Sequence, residues 1–339
     1  MKRNGICKIL CFIILLFIPP HLFYETESIA AVKISLISDR VAGLAAKHGI
    51  NKIKLALKKK GVSLEEVFDI QEARGNILIV AGIARGSGSA AELVKSFKLS
   101  APEESESLMI HRMKYEGKET LLITGADDRG LMFALLDVAD RIGWSANPDN
   151  PLSEVQNTIE KPYVTDRALS KYTMHRSTFE SYFFDEDYWA RYLDMLAENR
   201  FNRFVLIFGY ENAGYFAPPY PYFFNVDEFP DIRVVGITRE KQQRNLKMLN
   251  RLIEMTHERG LDFTIGIWDH IYKGGVQGPD AFAENPTPGL VWGLTEENLI
   301  PFTKIALAKF FQLVPDLDAI QFRMHGESGL REGGMKDFK

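Results

Sequence analysis

The first half of the chain alternates short apolar runs with longer runs in which apolar residues recur at helical spacing. Continuous apolar runs such as Asn76–Ala81 are typical of buried strands, whereas Leu131, Leu135, Val138 and Ile142 mark one face of a helix. The predicted strands are 32–37, 76–81, 108–115 and 120–124, and the predicted helices are 41–60, 90–97 and 128–142. This mixture, with a hairpin between two of the strands, predicts a compact α+β domain.

In the second half the order becomes strand, loop and helix, repeated about four times. The predicted strands are 172–175, 201–208, 262–268 and 319–324, and the predicted helices are 185–200, 238–259 and 295–313. Thr238 and Gly260 are suited to cap the two ends of the second helix. Near-continuous apolar strands that alternate with helices predict a parallel sheet covered by helices.

The number of repeats bears on the kind of parallel sheet. A complete eight-stranded barrel takes about 250 residues, and the second half has room for about four β/α units. We therefore predict an α/β protein in which an α+β accessory domain precedes a partial TIM-type barrel. A smaller open sheet is the alternative, but four unclosed parallel strands would leave an edge that proteins normally cover.

The amino terminus has the order of a secretory signal. Lys2, Arg3 and Lys8 are followed by the apolar run 9–18 and then by Pro19-Pro20. That run is shorter than the roughly 20 apolar residues that span a bilayer. We predict a signal peptide at residues 1–30, cleaved after Ala30, and hence a secreted or periplasmic protein without stable membrane association. A retained amino-terminal anchor is the alternative.

These patterns divide the chain into a signal peptide and three further parts. We predict the accessory domain at 31–143, a linker at 144–162 and the partial barrel at 163–339. The linker prediction depends on Pro148, Pro151 and Pro162, which stand among Asn, Asp and Ser residues.

Composition and charge exclude several classes of protein. The chain is 46% hydrophobic and 25% charged with a formal net charge of −4, as expected for a folded soluble protein. It has no long basic run, which argues against nucleic acid as a partner. Both cysteines, Cys7 and Cys11, precede the predicted cleavage site, which excludes thiol catalysis and cysteine-ligated metals from the mature chain. We predict no cofactor and leave the oligomeric state open.

Candidate catalytic residues follow the predicted strands, because the carboxyl ends of barrel strands carry the active site. They are His175, Arg176, Glu180, Tyr210, Glu211, Asn212, Trp268, Asp269, His270, His325 and Glu327. Loop polarity alone would explain any one of them. The set is more informative than its members, since the ends of neighbouring strands converge in space.

Glu327 is the strongest candidate for a catalytic acid. It lies between Gly326 and Ser328, directly after an apolar strand, and a desolvated carboxyl group there would have the raised pKa of a proton donor. Glycoside hydrolysis needs such an acid and a second carboxylate, roughly 5 Å away for retention or about 6.5–9.5 Å away for inversion. Asp269 is the predicted second group, with Glu211 or a residue on a further strand as alternatives.

We predict a sugar-binding role for six residues around these carboxylates. They are Arg176, Glu211, Asn212, Trp268, His270 and His325, and Arg176 would pair with a substrate carboxylate. The segment between Tyr210 and Phe229 is rich in aromatic residues and proline. Its rings would either stack on sugars or form a local core that orders a long loop.

Two further motifs carry little weight. The glycine-rich segment Gly82–Ala91 follows a strand but lacks the full dinucleotide-binding fingerprint. His175, Asp269, His270, His325 and Glu327 are metal-ligand types, but none has the short spacing of a zinc motif. We predict neither a nucleotide site nor a metal site.

Several stretches resemble known glycoside hydrolases. Ile123–Gly130 and the helix after it resemble the end of the accessory domain that precedes the barrel in family 67 α-glucuronidases and family 20 β-hexosaminidases. Lys161–Val164 resembles their entry into the barrel, and Gly289–Gly329 resembles the fourth repeat of the α-glucuronidase group. The resemblance implies that Glu327 is the general acid. Gly326 stands where family 20 enzymes have the Asp of an Asp-Glu pair.

The sequence therefore predicts an exported glycoside hydrolase, or a fragment of one, that resembles α-glucuronidases and cleaves a polysaccharide or oligosaccharide. One alternative is a fragment that binds carbohydrate without catalysis, and another is a β-N-acetylhexosaminidase-like enzyme. An esterase or peptidase of the α/β-hydrolase class is disfavoured, because the chain has no G-x-S-x-G motif.

Overall fold

Two β-sheets, each with its own helices, organise the chain. The structure is a computed structural model that describes residues 32–101, 103–147, 150–173, 176–208, 219–268, 288–289, 291–323, 330–331 and 337–338. The predicted signal peptide lies outside these residues and remains a prediction. The described residues from Val32 onward belong to one compact unit.

The first sheet has six strands. They are β1 Lys33–Ser38, β2 Ser63–Val67, β3 Ile77–Ile83, β4 Leu108–Tyr115, β5 Lys118–Gly125 and β6 Thr158–Glu160. Their order across the sheet is β2-β1-β3-β5-β4-β6. Strands β1, β2, β3 and β5 are parallel, whereas β4 runs antiparallel to both β5 and β6. The predicted hairpin is the β4–β5 pair.

Three helices cover the first sheet. They are α1 Leu44–Lys59, α2 Ser89–Ser96 and α3 Asp128–Trp144. Helices α1 and α3 share one apolar core with Ile34 and Leu36 of β1, while α2 packs on the other face with Ile37. Alternation of side chains along each strand places apolar residues on both faces.

Two strands of this sheet were not predicted from the sequence. β2 has the polar sequence SLEEV, and it is held at the sheet edge by pairing with β1 and by a 2.6 Å hydrogen bond from the Ser35 hydroxyl to Glu65. β6 lies in the segment predicted as a linker and pairs with β4. Both strands are fixed by partners far along the chain, which local periodicity does not reveal.

The second sheet contains four parallel strands that alternate with helices along the chain. In chain order these elements are β7 Ala168–Lys171, α4 Arg176–Phe183, α5 Glu186–Glu198, β8 Arg203–Phe208, α6 Arg239–His257, β10 Asp262–Trp268, α7 Glu296–Leu313 and β12 Ala319–Arg323. Two short antiparallel pairs join β9 Arg233–Val234 to β11 Val291–Trp292 and β13 Leu330–Arg331 to β14 Asp337–Phe338.

The order of strands across the second sheet is β7-β8-β10-β12, all parallel. Neighbours in space thus follow the order of the chain, as in a barrel and unlike a doubly wound sheet. The predicted fold class, with a partial TIM-like barrel, is confirmed.

The first strand of this sheet corrects a prediction. The sequence placed it at residues 172–175, but β7 ends at Lys171. Its four residues pair with β8 and have no continuous apolar run, so the pattern did not reveal them. Helix α4, which follows it, was also missed. The other strands begin or end within two residues of their predicted limits.

Local capping explains where the helices of this half begin. Thr238 accepts a hydrogen bond from Lys241 N at 3.2 Å, as its position before the helix predicted. Thr295 and Asn298 form a reciprocal capping box at the start of α7. Gly260 follows α6 with a φ of +67°, a left-handed conformation that favours glycine.

Among the described residues, no helix is both long enough and apolar enough to cross a membrane.

Candidate functional site

The candidate site is the carboxyl edge of the four-stranded sheet. Strands β7, β8, β10 and β12 run in the same direction and end at Lys171, Phe208, Trp268 and Arg323. Trp268 and Arg323 are register partners, as are Ile267 and Phe208. The carboxyl ends of these strands therefore lie side by side at one edge, which is where barrel enzymes carry their catalytic residues.

Apolar packing fixes this edge from the helix side. Phe208, the last residue of β8, is 1% exposed and packs edge-to-face against Phe179 of α4, with ring centroids 6.0 Å apart. The ring centroid of Phe223 lies 5.8 Å from that of Phe208. Trp189 of α5 donates a hydrogen bond to the Phe183 carbonyl at 2.9 Å and so ties α5 to the end of α4.

A close approach between two strands shapes the other face of the sheet. Gly266 of β10 faces Ile207, and a Cβ atom at Gly266 would lie 2.8 Å from Ile207 Cγ1. Val205 and Ile207 are buried although they do not belong to the core under the helices. This face corresponds to the interior of a barrel, where layers of side chains interdigitate.

The structure places two of the eight predicted site residues. Trp268 is the last residue of β10, as predicted. Arg176 is the first residue of α4 and does not follow a strand directly, because β7 ends earlier than predicted. The remaining predicted site residues lie outside the described part of the chain; they are Glu211, Asn212, Asp269, His270, His325 and Glu327. His175 and Tyr210 lie outside it as well.

Glu180, which the sequence also placed near the site, forms an ion pair. Its carboxylate accepts a 2.8 Å hydrogen bond from the Lys241 ammonium, which joins α4 to the first turn of α6. The amino ends of barrel helices lie on the same side as the carboxyl ends of the strands. The pair therefore braces α4 at the candidate site.

The described part of the aromatic segment is core. Tyr220, Tyr222 and Phe223 are at most 2% exposed, and Phe224 is 8% exposed. The Tyr222 hydroxyl donates to the Gly289 carbonyl at 2.9 Å, and burial raises the pKa of Tyr220 above its usual value. Of the two interpretations of this segment, a local core holds for these rings; Tyr210, Tyr215 and Phe216 lie outside the described residues.

An ion-pair network at the amino edge of the same sheet was missed from the sequence. Glu106, 8% exposed, accepts hydrogen bonds from Arg129 at 2.8 Å and Asn202 at 2.9 Å, and it also pairs with Arg167. Arg129 further pairs with Asp262 of β10 at 2.8 Å. Burial alone would raise the pKa of Glu106, but the three donors outweigh it and hold the pKa below its usual value. The network joins the residues before β4 and the first turn of α3 to the residues directly before β7 and β8 and to the first residue of β10.

A second polar cluster lies between α1 and α5. Asp194 accepts hydrogen bonds from Lys52 at 2.8 Å and Arg259 at 2.6 Å, and Lys52 also pairs with Glu198 at 2.8 Å. His48 lies 3.8 Å from Asp194. Burial lowers the pKa of His48 to about 4, against the attraction of Asp194. The imidazole is therefore neutral at physiological pH.

The glycine-rich segment that the sequence flagged encloses an internal carboxylate. Asp39 accepts a hydrogen bond from Ile83 N at 3.1 Å, and its side chain occupies the space that a Cβ atom of Gly82 or Gly88 would need. Burial raises the pKa of Asp39. A carboxyl group already sits at this loop, so its glycines have a packing role that needs no bound phosphate.

The described ranges contain no group of three or more His, Cys, Asp or Glu side chains that could hold a metal ion. All five residues weighed as metal ligands lie outside those ranges; they are His175, Asp269, His270, His325 and Glu327. The absence of a metal site there remains a prediction.

The fold is similar to that of solved glycoside hydrolases. A GH138 enzyme targeting pectin rhamnogalacturonan II aligns with a TM-score of 0.58 and 17% identity over 85% of this chain and 38% of that one. CpGH84D and CpGH84B align with TM-scores of 0.49 and 0.47 at 12% identity, over 86% of this chain and 40% and 39% of theirs. No protein-family model and no curated protein matches the sequence. This chain thus spans less than half of the length of these structures, and its likeness to the GH138 enzyme shows that the two proteins share a fold over the aligned part.

Proposed function

We propose that the protein is an exported glycoside hydrolase that cleaves a polysaccharide or oligosaccharide carrying a sugar acid. The observation that carries the proposal is the register of β10 and β12, whose last residues Trp268 and Arg323 are partners. Asp269 and His270 follow Trp268 in the sequence, and Glu327 follows Arg323 by four positions. Two carboxylates thus follow adjacent strands in the sequence, and those strands end at the edge where barrel enzymes carry catalytic groups.

Glu327 acts as the general acid in this proposal. It donates its proton to the glycosidic oxygen while the bond from that oxygen to the anomeric carbon breaks, and the leaving sugar departs as an alcohol. Asp269 supplies the second carboxylate, either as the nucleophile or as the base that activates water. The proton donor must be protonated near neutral pH, which requires a desolvated carboxyl group.

Substrate binding falls to polar and aromatic residues beside the two carboxylates. Arg176 pairs with the carboxylate of the sugar acid, since a guanidinium matches a carboxylate in two parallel hydrogen bonds. The backbone of Arg176 begins α4, which the ion pair between Glu180 and Lys241 braces. The other proposed sugar-binding residues are Glu211, Asn212, Trp268, His270 and His325.

The test is hydrolysis of a panel of aryl glycosides and polysaccharide fragments. The panel contains α-glucuronides, galacturonides, N-acetylglucosaminides, glucuronoxylan fragments and pectin fragments. The pectin arm follows from the likeness to the GH138 enzyme. Release of a sugar acid supports the proposal, release of N-acetylglucosamine favours a hexosaminidase-like activity, and a panel without any hydrolysis contradicts both.

A carbohydrate-binding fragment without activity is the second candidate. It is favoured by the four strands described in the barrel-like sheet and by the 38% of the GH138 enzyme that the chain spans. Calorimetric binding of a panel member without its hydrolysis, unchanged in Glu327→Gln, would support this candidate.

Export is a separate part of the proposal. It depends on the basic and apolar residues before Ala30 and on the absence of cysteine from the chain that follows. Amino-terminal sequencing of the secreted protein is expected to begin at Ala31, and a protein that starts at Met1 would contradict the predicted cleavage.

A further inference from the structure

A cavity of about 280 Å³ lies on the first sheet, near the turn of the β4–β5 hairpin. Its floor is apolar and contains Ile77, Leu121 and Leu152, which are at most 9% exposed and belong to the core under α1 and α3. Cavities for drug-sized ligands have volumes of roughly 300–1,000 Å³. This cavity is therefore large enough for a ligand with a single ring.

Three charged side chains line the same cavity. Arg112 and Lys114 are two positions apart on β4, and Glu119 of β5 is the register partner of Lys114. Side chains two positions apart on a strand face the same side, as do those directly opposite on paired strands. The cavity thus combines two cations and one carboxylate with an apolar floor. A singly charged anion balances this charge.

Arg112 is held in place by the segment that follows α3. Its Nη1 donates hydrogen bonds to the backbone carbonyls of Leu152 at 2.8 Å and Val155 at 3.1 Å. Its Nη2 lies 3.9 Å from Glu119 Oε2, which is beyond hydrogen-bond distance, so both groups keep hydrogen-bonding capacity for a ligand. A guanidinium that is already fixed loses little conformational freedom when a ligand binds.

Lys114 provides a second cation for the ligand. Its side chain is exposed, and its ammonium group forms no ion pair within the described part of the chain. Lys118, on the other strand of the hairpin, differs because it donates a hydrogen bond to the Ala73 carbonyl at 3.1 Å. Lys114 can therefore pair with an anion in the cavity without breaking an existing interaction.

We propose that this cavity binds a sugar acid, with the sugar ring on the apolar floor. The carboxylate of the sugar accepts hydrogen bonds from Arg112 Nη2 and from Lys114, and sugar hydroxyl groups donate to Glu119. Inorganic phosphate fits less well, because it has no apolar face and Glu119 repels it. A zwitterionic amino acid also fits less well, since its own charges cancel and leave the positive excess of the cavity unbalanced.

This site is separate from the candidate catalytic edge. Its lining residues belong to β3, β4, β5 and the segment after α3, whereas the candidate catalytic residues follow strands of the second sheet. The inference therefore does not rest on the proposed hydrolysis, although both concern acidic carbohydrate. In an enzyme that acts on an acidic polysaccharide, a second contact of this kind would strengthen binding through multivalency.

The first test follows the δ1-methyl NMR signal of Ile77 in the 339-residue chain, because Ile77 lies in the cavity floor. Ile77→Val assigns the signal. The ligands are D-galacturonate and D-glucuronate, with D-galactose, phosphate and leucine for comparison. We expect a saturable shift with at least one sugar acid and at least about tenfold weaker binding of each comparison ligand, because charge-assisted hydrogen bonds contribute on that scale. Phosphate or leucine that binds as tightly as the sugar acids would overturn the proposal, as would the absence of a saturable shift.

The second test removes one cation. Lys114→Met keeps the length of the side chain, and we expect it to weaken binding of the sugar acid about tenfold. Lys95→Met is the matched control, because Lys95 is also exposed and lies on α2, which covers the opposite face of the sheet. Arg112 stays intact, since its loss would release the segment after α3. Equal affinities of the two variants would overturn the proposal.

The third test separates this site from the proposed catalytic site. Arg176→Met should leave the Ile77 shift unchanged. Loss of the shift in Arg176→Met and not in Lys114→Met would assign the binding to the catalytic edge, which overturns this inference and supports the proposed function. The expected shifts in a protein that hydrolyses no member of the glycoside panel would contradict the proposed function alone.

Tri-galacturonate identifies the source of the sugar acid. Tighter binding of the trimer than of the monomer supports a site for a polysaccharide chain, and weaker binding supports a site for the free sugar acid.

Discussion

The two edges of the four-stranded sheet differ in how they are held. At the amino edge, the buried Glu106 pairs with Arg129 of α3 and with Arg167, and Arg129 extends the network to Asp262 of β10. At the carboxyl edge, β10 and β12 end shortly before the candidate carboxylates in the sequence, and packing of Phe179 against Phe208 supports the end of β8. The comparison teaches that ion pairs among the described residues stabilise the amino edge, whereas in barrel enzymes the opposite edge is the one that carries the catalytic residues.

The largest expected effect is on turnover at the carboxyl edge. Glu327→Gln removes the proton donor, and we expect kcat to fall by about 10³-fold because general acid catalysis contributes on that scale. The melting temperature should not change. Glu103→Gln is the control, since its carboxylate is about two-thirds exposed and belongs to the first half of the chain. If the Glu327 variant retained the wild-type kcat, that result would contradict a proton donor at this edge.

At the amino edge the expected effect is on stability. Glu106→Ala leaves the cations of Arg129 and Arg167 without their shared anion, and breaking such a buried pair costs about 3–5 kcal/mol. Urea unfolding measures the loss. Glu103→Ala is the control, because its pair with Arg85 is about two-thirds exposed and contributes little. Equal stabilities of the two variants would show that the network does not hold the sheets together.

The cluster around His48 should make stability depend on pH. The pKa of His48 in the folded protein is about 4, below the ordinary value near 6.5, so the unfolded chain binds the proton more tightly. The contribution of neutral His48 to the free energy of unfolding is fully present above about pH 6.5, and it is lost as the pH falls toward 4.

The measurement is urea unfolding at pH 7 and pH 4.5 for the wild type and His48→Gln. Between these two pH values, the free energy of unfolding should fall by about 2 kcal/mol more for the wild type than for the variant. Asp194, Lys52 and Arg259 face the imidazole, and the pKa of Asp194 is held below its usual value, so this carboxylate stays ionised in the window. Identical losses in both proteins would contradict the assignment to His48.

The smallest effect is expected between the two edges. Gly266→Ala would place a methyl group 2.8 Å from Ile207 Cγ1, and overpacking of this kind costs about 1–3 kcal/mol. Gly143→Ala in α3 is the control, because no heavy atom lies within 4 Å of the added carbon and alanine favours a helix. If Gly266→Ala is as stable as the control, the two strands are less closely packed than the structure indicates.

The sequence predicted the parts of the fold that local patterns encode. Buried strands such as Ile77–Ile83 and capped helices such as α6 have apolar periodicity and end signals of their own. β2, β6 and β7 were missed or misplaced because they are short or polar and are fixed by pairing with distant strands. A single chain gives no direct signal of such pairing.

In the candidate site, too, local patterns predicted some features, and contacts between distant segments fixed the others. Trp268 at the end of β10 followed from the strand pattern, whereas the position of Arg176 depended on where β7 ends. The Glu106 network could not be read from the sequence, because its members lie in separate segments and each is an ordinary surface residue type. Spacing along the chain carries no information on contacts between residues that far apart.

The most direct test of the account compares how well Glu327→Gln hydrolyses two substrates that differ in their leaving groups. The dinitrophenolate group leaves a dinitrophenyl glycoside without a proton, whereas the phenolate group of a phenyl glycoside needs one. An acid at position 327 therefore matters only for the phenyl glycoside. We predict that Glu327→Gln loses about 10³-fold in kcat/KM on the phenyl glycoside and less than about tenfold on the dinitrophenyl glycoside. Equal losses on both substrates would contradict a proton donor at the carboxyl edge of the sheet.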